Sequence, residues 1–236
     1  MAPLLSVKDL HHGFGAGGTR LEVLTGVAFE VAPGELVALM GSSGCGKSTL
    51  LNIIGGLLAA DSGTIDVNGS VYGQQPPYAL VDLRRATIGW IFQDYHLLPH
   101  LSALDNVTLA LELAGAVMPE AEQRATASPE RVGLADRAQH RPDELSGGQA
   151  QRVAIARAIA GDRKLLLADE PTGNLDIATS REILELFHEL CTGDNELSIL
   201  MVTHDAALAA RADRMLLLRD GCVAASDVES AWGDAA

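Results

Sequence analysis

Short apolar runs alternate with stretches of helical spacing along most of the chain. Residues 6–10 and 23–31 have the character of strands, the second closed by a turn at Pro33-Gly34. Leu36–Met40 is an unbroken apolar run ending in glycine, the pattern of a strand buried on both faces of a parallel sheet. Helical spacing follows over 47–58, then strand character over 63–71 and again over 88–92. From about 101 to 160 the pattern is helical, with Pro99, Pro119, Pro129 and Pro142 marking joints between helices. Apolar strands return at 165–168, 198–203 and 215–218, separated by helical stretches. Strand–helix alternation on both sides of a helical middle implies an α/β chain with a parallel core and an inserted helical subdomain. The tail after Gly221 is rich in Ala, Ser and Asp and is expected to be loosely ordered.

Composition narrows the function more than the fold. Hydrophobic residues make up 47% of the 236 and charged residues 20%, ordinary globular usage that excludes a disordered or collagen-like chain. Net charge is -14, from 17 basic and 31 acidic residues, and only Lys8, Lys47 and Lys164 are lysines. Phosphate-backbone binding needs clustered cations, so a nucleic-acid partner is not expected. The three cysteines Cys45, Cys191 and Cys222 show no CxxC spacing, which argues against a disulfide framework or a structural zinc site and for a reducing compartment. The N-terminus lacks the pattern of a secretory signal, and no apolar run approaches the ~20 residues that span a bilayer.

Gly41-Ser42-Ser43-Gly44-Cys45-Gly46-Lys47-Ser48 fits the G-x-x-x-x-G-K-[ST] phosphate loop without a mismatch. Glycines let successive backbone N–H groups curl inward toward phosphate oxygens, and the helix that starts near Lys47 adds its positive end. Lys47 would neutralise the outer phosphates, and Ser48 would place its hydroxyl on Mg²⁺. With this chain's own residue frequencies the pattern arises by chance ~0.003 times, and its strand-before, helix-after context is the one that binding requires. A nucleotide site follows. Cys45 occupies a variable place in the loop, where a helix N-terminus can lower a thiol pKa. Further on, the apolar run 165–168 ends in Asp169-Glu170. Beside a phosphate loop, the first acid can hold Mg²⁺ and the second can orient or deprotonate an attacking water.

Leu145-Ser146-Gly147-Gly148-Gln149, 98 residues after Lys47, resembles the signature sequence of ABC-type ATPases. Gln151-Arg152-Val153-Ala154-Ile155-Ala156-Arg157-Ala158 resembles the helix that follows it. Glu170-Pro171-Thr172-Gly173-Asn174-Leu175-Asp176 is similar to the family's D-loop, and Val202-Thr203-His204-Asp205 to its switch-histidine segment. Gln93 matches the Q-loop glutamine, and Phe14 falls where the family stacks an aromatic ring on adenine. The resemblance runs from about Leu5 to Gly221. It implies a P-loop (RecA-like) core over about 1–93 and 161–225, an N-terminal antiparallel β subdomain, and a helical subdomain over about 94–160. Phe14, residues 41–48 and Thr49 would then contact ATP. Ser48, Gln93 and Asp169 would hold Mg²⁺, and Glu170, His204 and Gln93 would act in catalysis. The signature residues Leu145 to Gln149 would close on a partner's ATP in a head-to-tail homodimer, with Asp176 at the dimer contact. Two departures stand out. The adenine-stacking residue is Phe14 where the family usually has Tyr, and Ala150 follows the signature where a polar residue is common.

An ATPase domain of this kind is coupled to an integral membrane permease subunit, which would place the chain peripherally on the cytoplasmic face of the inner membrane. The stretch Asp94–Gly115 falls where such ATPases receive a short helix of that subunit, and within it Tyr95-His96-Leu97-Leu98-Pro99-His100-Leu101 would be an awkward solvent loop and is expected to form part of a docking groove. Further likenesses point to one branch of the family, with the lipoprotein-releasing, macrolide-export and cell-division ATPases. They lie in 92–107, in His140-Arg141-Pro142-Asp143-Glu144-Leu145 and in Thr172-Gly173-Asn174-Leu175-Asp176. Either a transport ATPase or an ATPase that activates an external enzyme without transport fits these motifs. A chromosome-handling relative fits poorly, because of the acidic charge and the lack of a long coiled-coil insertion.

Overall fold

The computed structural model describes residues 2–193 and 197–225. Its first strands, β1 (Leu5–Phe14) and β2 (Leu21–Val31), pair antiparallel, with Leu5 opposite Val31 and Phe14 opposite Leu21. The chain then crosses to a second sheet through β3 (Leu36–Met40) and α1 (Lys47–Ile54). It returns with β4 (Ser62–Val67) and β5 (Ser70–Tyr72), giving a four-stranded antiparallel sheet in the order β2-β1-β4-β5. The stretch 63–71, expected as one strand, is therefore a hairpin. Asn68 and Gly69 hold φ of 50° and 82°, the paired left-handed residues of a tight two-residue turn.

After a short helix, α2 (Val81–Thr87), the chain enters the second sheet with β6 (Ile88–Ile91). Three helices follow before the next strand: α3 (Ala103–Leu113), α4 (Glu120–Arg131) and α5 (Gly147–Ile159). Pro129 lies inside α4, two residues before its end, and not between helices. Then come β7 (Leu165–Asp169), α6 (Ile177–Thr192), β8 (Ser198–Val202), α7 (Ala206–Ala209), β9 (Arg214–Arg219) and β10 (Cys222–Ala225). The sheet order is β10-β9-β3-β8-β7-β6, parallel except for β10. β10 corrects the expectation of a loose tail after Gly221, at least to Ala225. Its backbone completes a hairpin on β9, with Cys222 opposite Arg219 and Val223 opposite Leu218. The residues beyond lie outside those described.

Alternation along the buried strands sorts one sheet between two cores. Leu36, Ala38 and Met40 of β3 face the layer built from α3, α5 and α6, where Phe187 is fully buried. Val37 and Leu39 face the other layer, formed by α1 and the antiparallel sheet. Gly89 lets α5 approach β6 closely, since a Cβ there would lie 2.3 Å from the Ala158 carbonyl oxygen. The stretch 98–106 is stapled by the buried Asn106. Its amide donates to the Leu98, Leu101 and Ser102 carbonyls and accepts from the Leu98 N–H at 2.8 Å. Among the described residues no helix is long and apolar enough to cross a membrane.

Candidate active site

β3 runs directly into the phosphate loop, and the loop into α1. Gly44 and Gly46 hold φ of 80° and 103°, a region that other residues reach only with strain. At Gly46 a Cβ would also lie 2.8 Å from Val23 Cγ1. No side chain caps the first turn of α1, so its unpaired amides are available to an anion. The Lys47 ammonium folds back over the loop, donating to the Gly41 carbonyl at 2.8 Å and the Ser42 carbonyl at 2.9 Å.

A cavity of about 480 Å³ opens on this loop. Ser43, Gly44, Gly46, Lys47, Ser48 and Thr49 line it, together with the apolar Phe14, Leu21 and Val23 and the polar Gln93, Asp169 and Glu170. Phe14 is half exposed and held edge-on by the His12 ring, 4.8 Å between centroids. Its strand end is fixed by Asp61, which accepts from the Gly13 N–H at 2.8 Å and from Arg20. Gly41, Ser42 and Cys45 do not line the cavity. Gly41 backs onto the Leu218 carbonyl, and Cys45 packs toward the core around α1.

Asp169 ends β7 at the C-terminal edge of the parallel sheet, level with Val202 of β8. Burial pushes its carboxyl up from the usual range; the Ser48 hydroxyl, which donates to it, and the Lys47 charge draw it back, while the neighbouring Glu170 raises it. Glu170 has φ of 49°, left-handed for a non-glycine, at a typical cost of about 1–3 kcal/mol. Two backbone bonds hold it there: its N–H donates to Val202, and Gly173 N–H donates to its carbonyl, both at 3.0 Å. The twisted backbone sets the Glu170 side chain, 18% exposed, at the boundary with a second cavity of about 290 Å³. His204, 72% exposed, lines that second cavity and meets the Glu170 carboxylate with Nδ1 at 2.8 Å.

The signature segment stands apart. Ser146 caps α5, accepting from the Gln149 N–H at 3.3 Å, while Gln149 Oε1 accepts from the Ser146 N–H at 3.0 Å. Gly147 and Gly148 sit against other parts of the chain: a Cβ would lie 3.1 Å from the Tyr95 hydroxyl at the first and 2.5 Å from Thr179 Cγ2 at the second. None of residues 145–149 lines the cavity that holds Lys47. Asp176 caps α6, accepting from the Ala178 and Thr179 N–H groups and the Thr179 hydroxyl; the Thr179 bonds hold its carboxyl below the usual range.

The ABC transporter family model matches residues 24–173. Over 221 residues, 94% of the chain, it is 44% identical to the macrolide export ATP-binding/permease protein MacB of Shigella flexneri and to that of Escherichia coli K12. Among solved structures, the ATP-binding cassette MJ0796, in a dimeric post-hydrolysis state bound to ADP and Pi, superposes with a TM-score of 0.84 at 36% identity. That match covers 94% of this chain and 97% of the other, and a second dimeric structure of MJ0796 gives 0.83 at 37%. The chain belongs to the ABC transporter family. It is an ATP-binding cassette and an ATP hydrolase, and it spans 34% of the length of the macrolide export proteins.

Two features of this cassette escaped the sequence reading. The first is Asn174, whose amide donates to the Gln93 carbonyl at 3.1 Å and to Asp94 Oδ1 at 3.2 Å, tying the segment after Glu170 to the Q-loop. The second is the part that α2, β6 and α5 play, with α3, in walling a groove of about 550 Å³. His96, Ala110, Leu113 and Ala114 come from the stretch 94–115 expected to carry a docking groove. Trp90 and Phe92, stacked at 5.3 Å, supply the aromatic part, and Arg84, Arg85, Arg157 and Arg163 the cationic part. Leu97, expected in the docking groove, is half-buried against the core and does not line the groove.

Proposed function

We propose that this cassette hydrolyses ATP in a head-to-tail homodimer and transmits the resulting motion to a membrane permease of the macrolide-export type. The observation that carries the reading is the division of the ATP motifs. Lys47, Ser48, Asp169, Glu170 and Gln93 share one cavity, while Ser146 and the glycines after it, on an equally well-formed helix start, lie outside it. A signature that cannot reach its own nucleotide serves the partner's, with Asp176 beside that contact. The dimeric MJ0796 cassettes support this arrangement.

Within one site the roles follow from chemistry. The free amides of α1 and the Lys47 ammonium hold the phosphates, and Phe14 stacks on the base. Glu170 accepts the proton of the attacking water, and His204, bonded to its carboxylate, contacts the γ-phosphate. The hydroxyl of Ser48, the partly desolvated carboxylate of Asp169 and the amide of Gln93 are hard oxygen donors that fit Mg²⁺. Among the described residues no three His, Cys, Asp or Glu side chains gather as a metal cage, so phosphates and water would complete the shell. Bound there, Mg²⁺ would neutralise charge developing on the phosphates.

Residues 94–160 form the helical subdomain of this reading, and the aromatic and arginine groove is the seat for a short helix of the permease. That contact would hold the cassette on the cytoplasmic face of the inner membrane. No nucleic acid takes part. The 44% identity with macrolide export proteins supports an exporter over an ATPase that only activates an external enzyme. Immobilised Glu170→Gln chain with Mg²⁺-ATP, exposed to detergent-solubilised membranes, should retain a membrane protein with few spans and a large external domain. Recovery of soluble proteins alone overturns the coupling.

A further inference from the structure

The loop that carries Gln93 is anchored at its far end by the helix that carries the signature. Tyr95 and His96 hold consecutive φ of 61° and 48°, the only adjacent non-glycine pair in that region among the described residues. Left-handed backbone on two bulky residues persists only where its surroundings enforce it. The enforcing group is Arg157, in the last turn of α5, the helix that begins at Gly147. Its guanidinium donates to the Tyr95 carbonyl at 2.7 Å and to the His96 carbonyl, so one planar fork holds both left-handed residues. The Arg157 backbone is held in turn, because Arg163 donates to the Arg157 and Ala158 carbonyls, both at 2.9 Å.

At the near end the same loop is held from the catalytic side, by the bonds from Asn174 to Gln93 and Asp94. The Gln93 side-chain amide lies beside Gly173, where a Cβ would be 3.0 Å from Gln93 Nε2. Residues 93–96 therefore form a strap between two clamps, Asn174 behind the acidic pair and Arg157 on the signature helix. Arg157 also lines the aromatic groove, together with His96 and Phe92, whose rings are 4.7 Å apart.

We infer that Arg157 is a positioning residue: by fixing Tyr95 and His96 it sets Gln93 in the ATP cavity, and it links the groove and the signature helix to that glutamine. The inference rests on the reading of Gln93 as part of the ATP site. Arg157 does not line the ATP cavity, so its loss should leave ATP binding intact and slow the chemical step.

The test is a cycle of variants of the full chain, read by Mg²⁺-ATP turnover and by fluorescent-nucleotide affinity. Arg157→Met should lower kcat about tenfold or more with affinity changed less than about twofold, as expected when a catalytic group is displaced by an ångström or so. Arg157→Lys, which keeps the charge but loses the fork, should recover part of the rate. In a Gln93→Ala background, Arg157→Met should add less than about twofold, because both changes act through the same group. An unchanged kcat in Arg157→Met, a loss that follows a loss of nucleotide affinity in both Arg157 variants, or the full tenfold loss on top of Gln93→Ala overturns the inference. If Gln93→Ala itself turns over at the parental rate, the reading of Gln93 fails and the inference falls with it. If Gln93→Ala is slow and Arg157→Met is not, the inference alone fails.

Discussion

The phosphate loop and the signature are both helix starts rich in glycine, yet they are finished differently. At α1 the cap position is Gly46, no side chain closes the first turn, and the amides open onto a cavity with Lys47 folded above them. At α5 Ser146 and Gln149 satisfy each other's backbone groups, and the segment packs on Tyr95 and Thr179. An open helix start binds its ligand unaided. A start that is already capped and faces away from the chain's own nucleotide has the shape of a surface completed by something else. On this reading the unit of catalysis is larger than the chain.

Variants that treat the two helix starts separately put that reading at risk. Lys47→Ala should have the largest effect, weakening ATP about 100-fold or more, since removing one member of a close charge pair commonly costs 2–5 kcal/mol. A nucleotide titration that finds retained affinity would contradict the loop's role. Glu170→Gln should bind ATP normally and hydrolyse it about 10²–10³-fold more slowly, the span of a lost general base. Phosphate-release kinetics check this, and a rate within a few-fold of the parent would remove Glu170 from catalysis. Ser146→Arg separates the two helix starts most cleanly: turnover should fall about 10²-fold, the scale of one lost oxyanion donor, while ATP affinity shifts less than about twofold. Equal losses in rate and affinity would mean that the signature binds the chain's own nucleotide. Phe14→Ala should be mildest, weakening ATP about tenfold by the loss of one stacking face, with kcat preserved when ATP is saturating. Isothermal titration at matched Mg²⁺ would measure it.

How much of this could be read in the sequence depended on how local each feature is. Contiguous features were legible: the phosphate loop, Leu36–Met40 as a strand and Asp169-Glu170 at a strand end all carry their chemistry within a few neighbouring residues. The hairpin at Asn68-Gly69 had a local signal too, the Asn-Gly pair, which the longer apolar pattern across 63–71 concealed. Short β10 gave little pattern of its own, because four residues are too few to show an alternation and their pairing partner is set by the turn at Gly221. Least visible were the contacts that align the site. Asn174 reaches Gln93 across 81 residues of sequence, and Arg157 reaches Tyr95 across 62. Those two bonds end on backbone carbonyls, which every residue offers, and only the second bond of Asn174, to the Asp94 carboxylate, has a side chain at its receiving end. The left-handed backbone of Glu170 was hidden for a related reason: it is imposed by bonds to Val202 and Gly173 and not by its own preference.

If each signature closes on the nucleotide of a second chain, the solution mass of Glu170→Gln with Mg²⁺-ATP must show it. Size exclusion with light scattering, on Glu170→Gln alone and with Ser146→Arg added, is the decisive measurement. Glu170→Gln should run at twice the chain mass, and the double variant at the mass of one chain with ATP still bound. A double variant that remains dimeric with ATP, or a Glu170→Gln chain that never dimerises, would contradict closure across two chains.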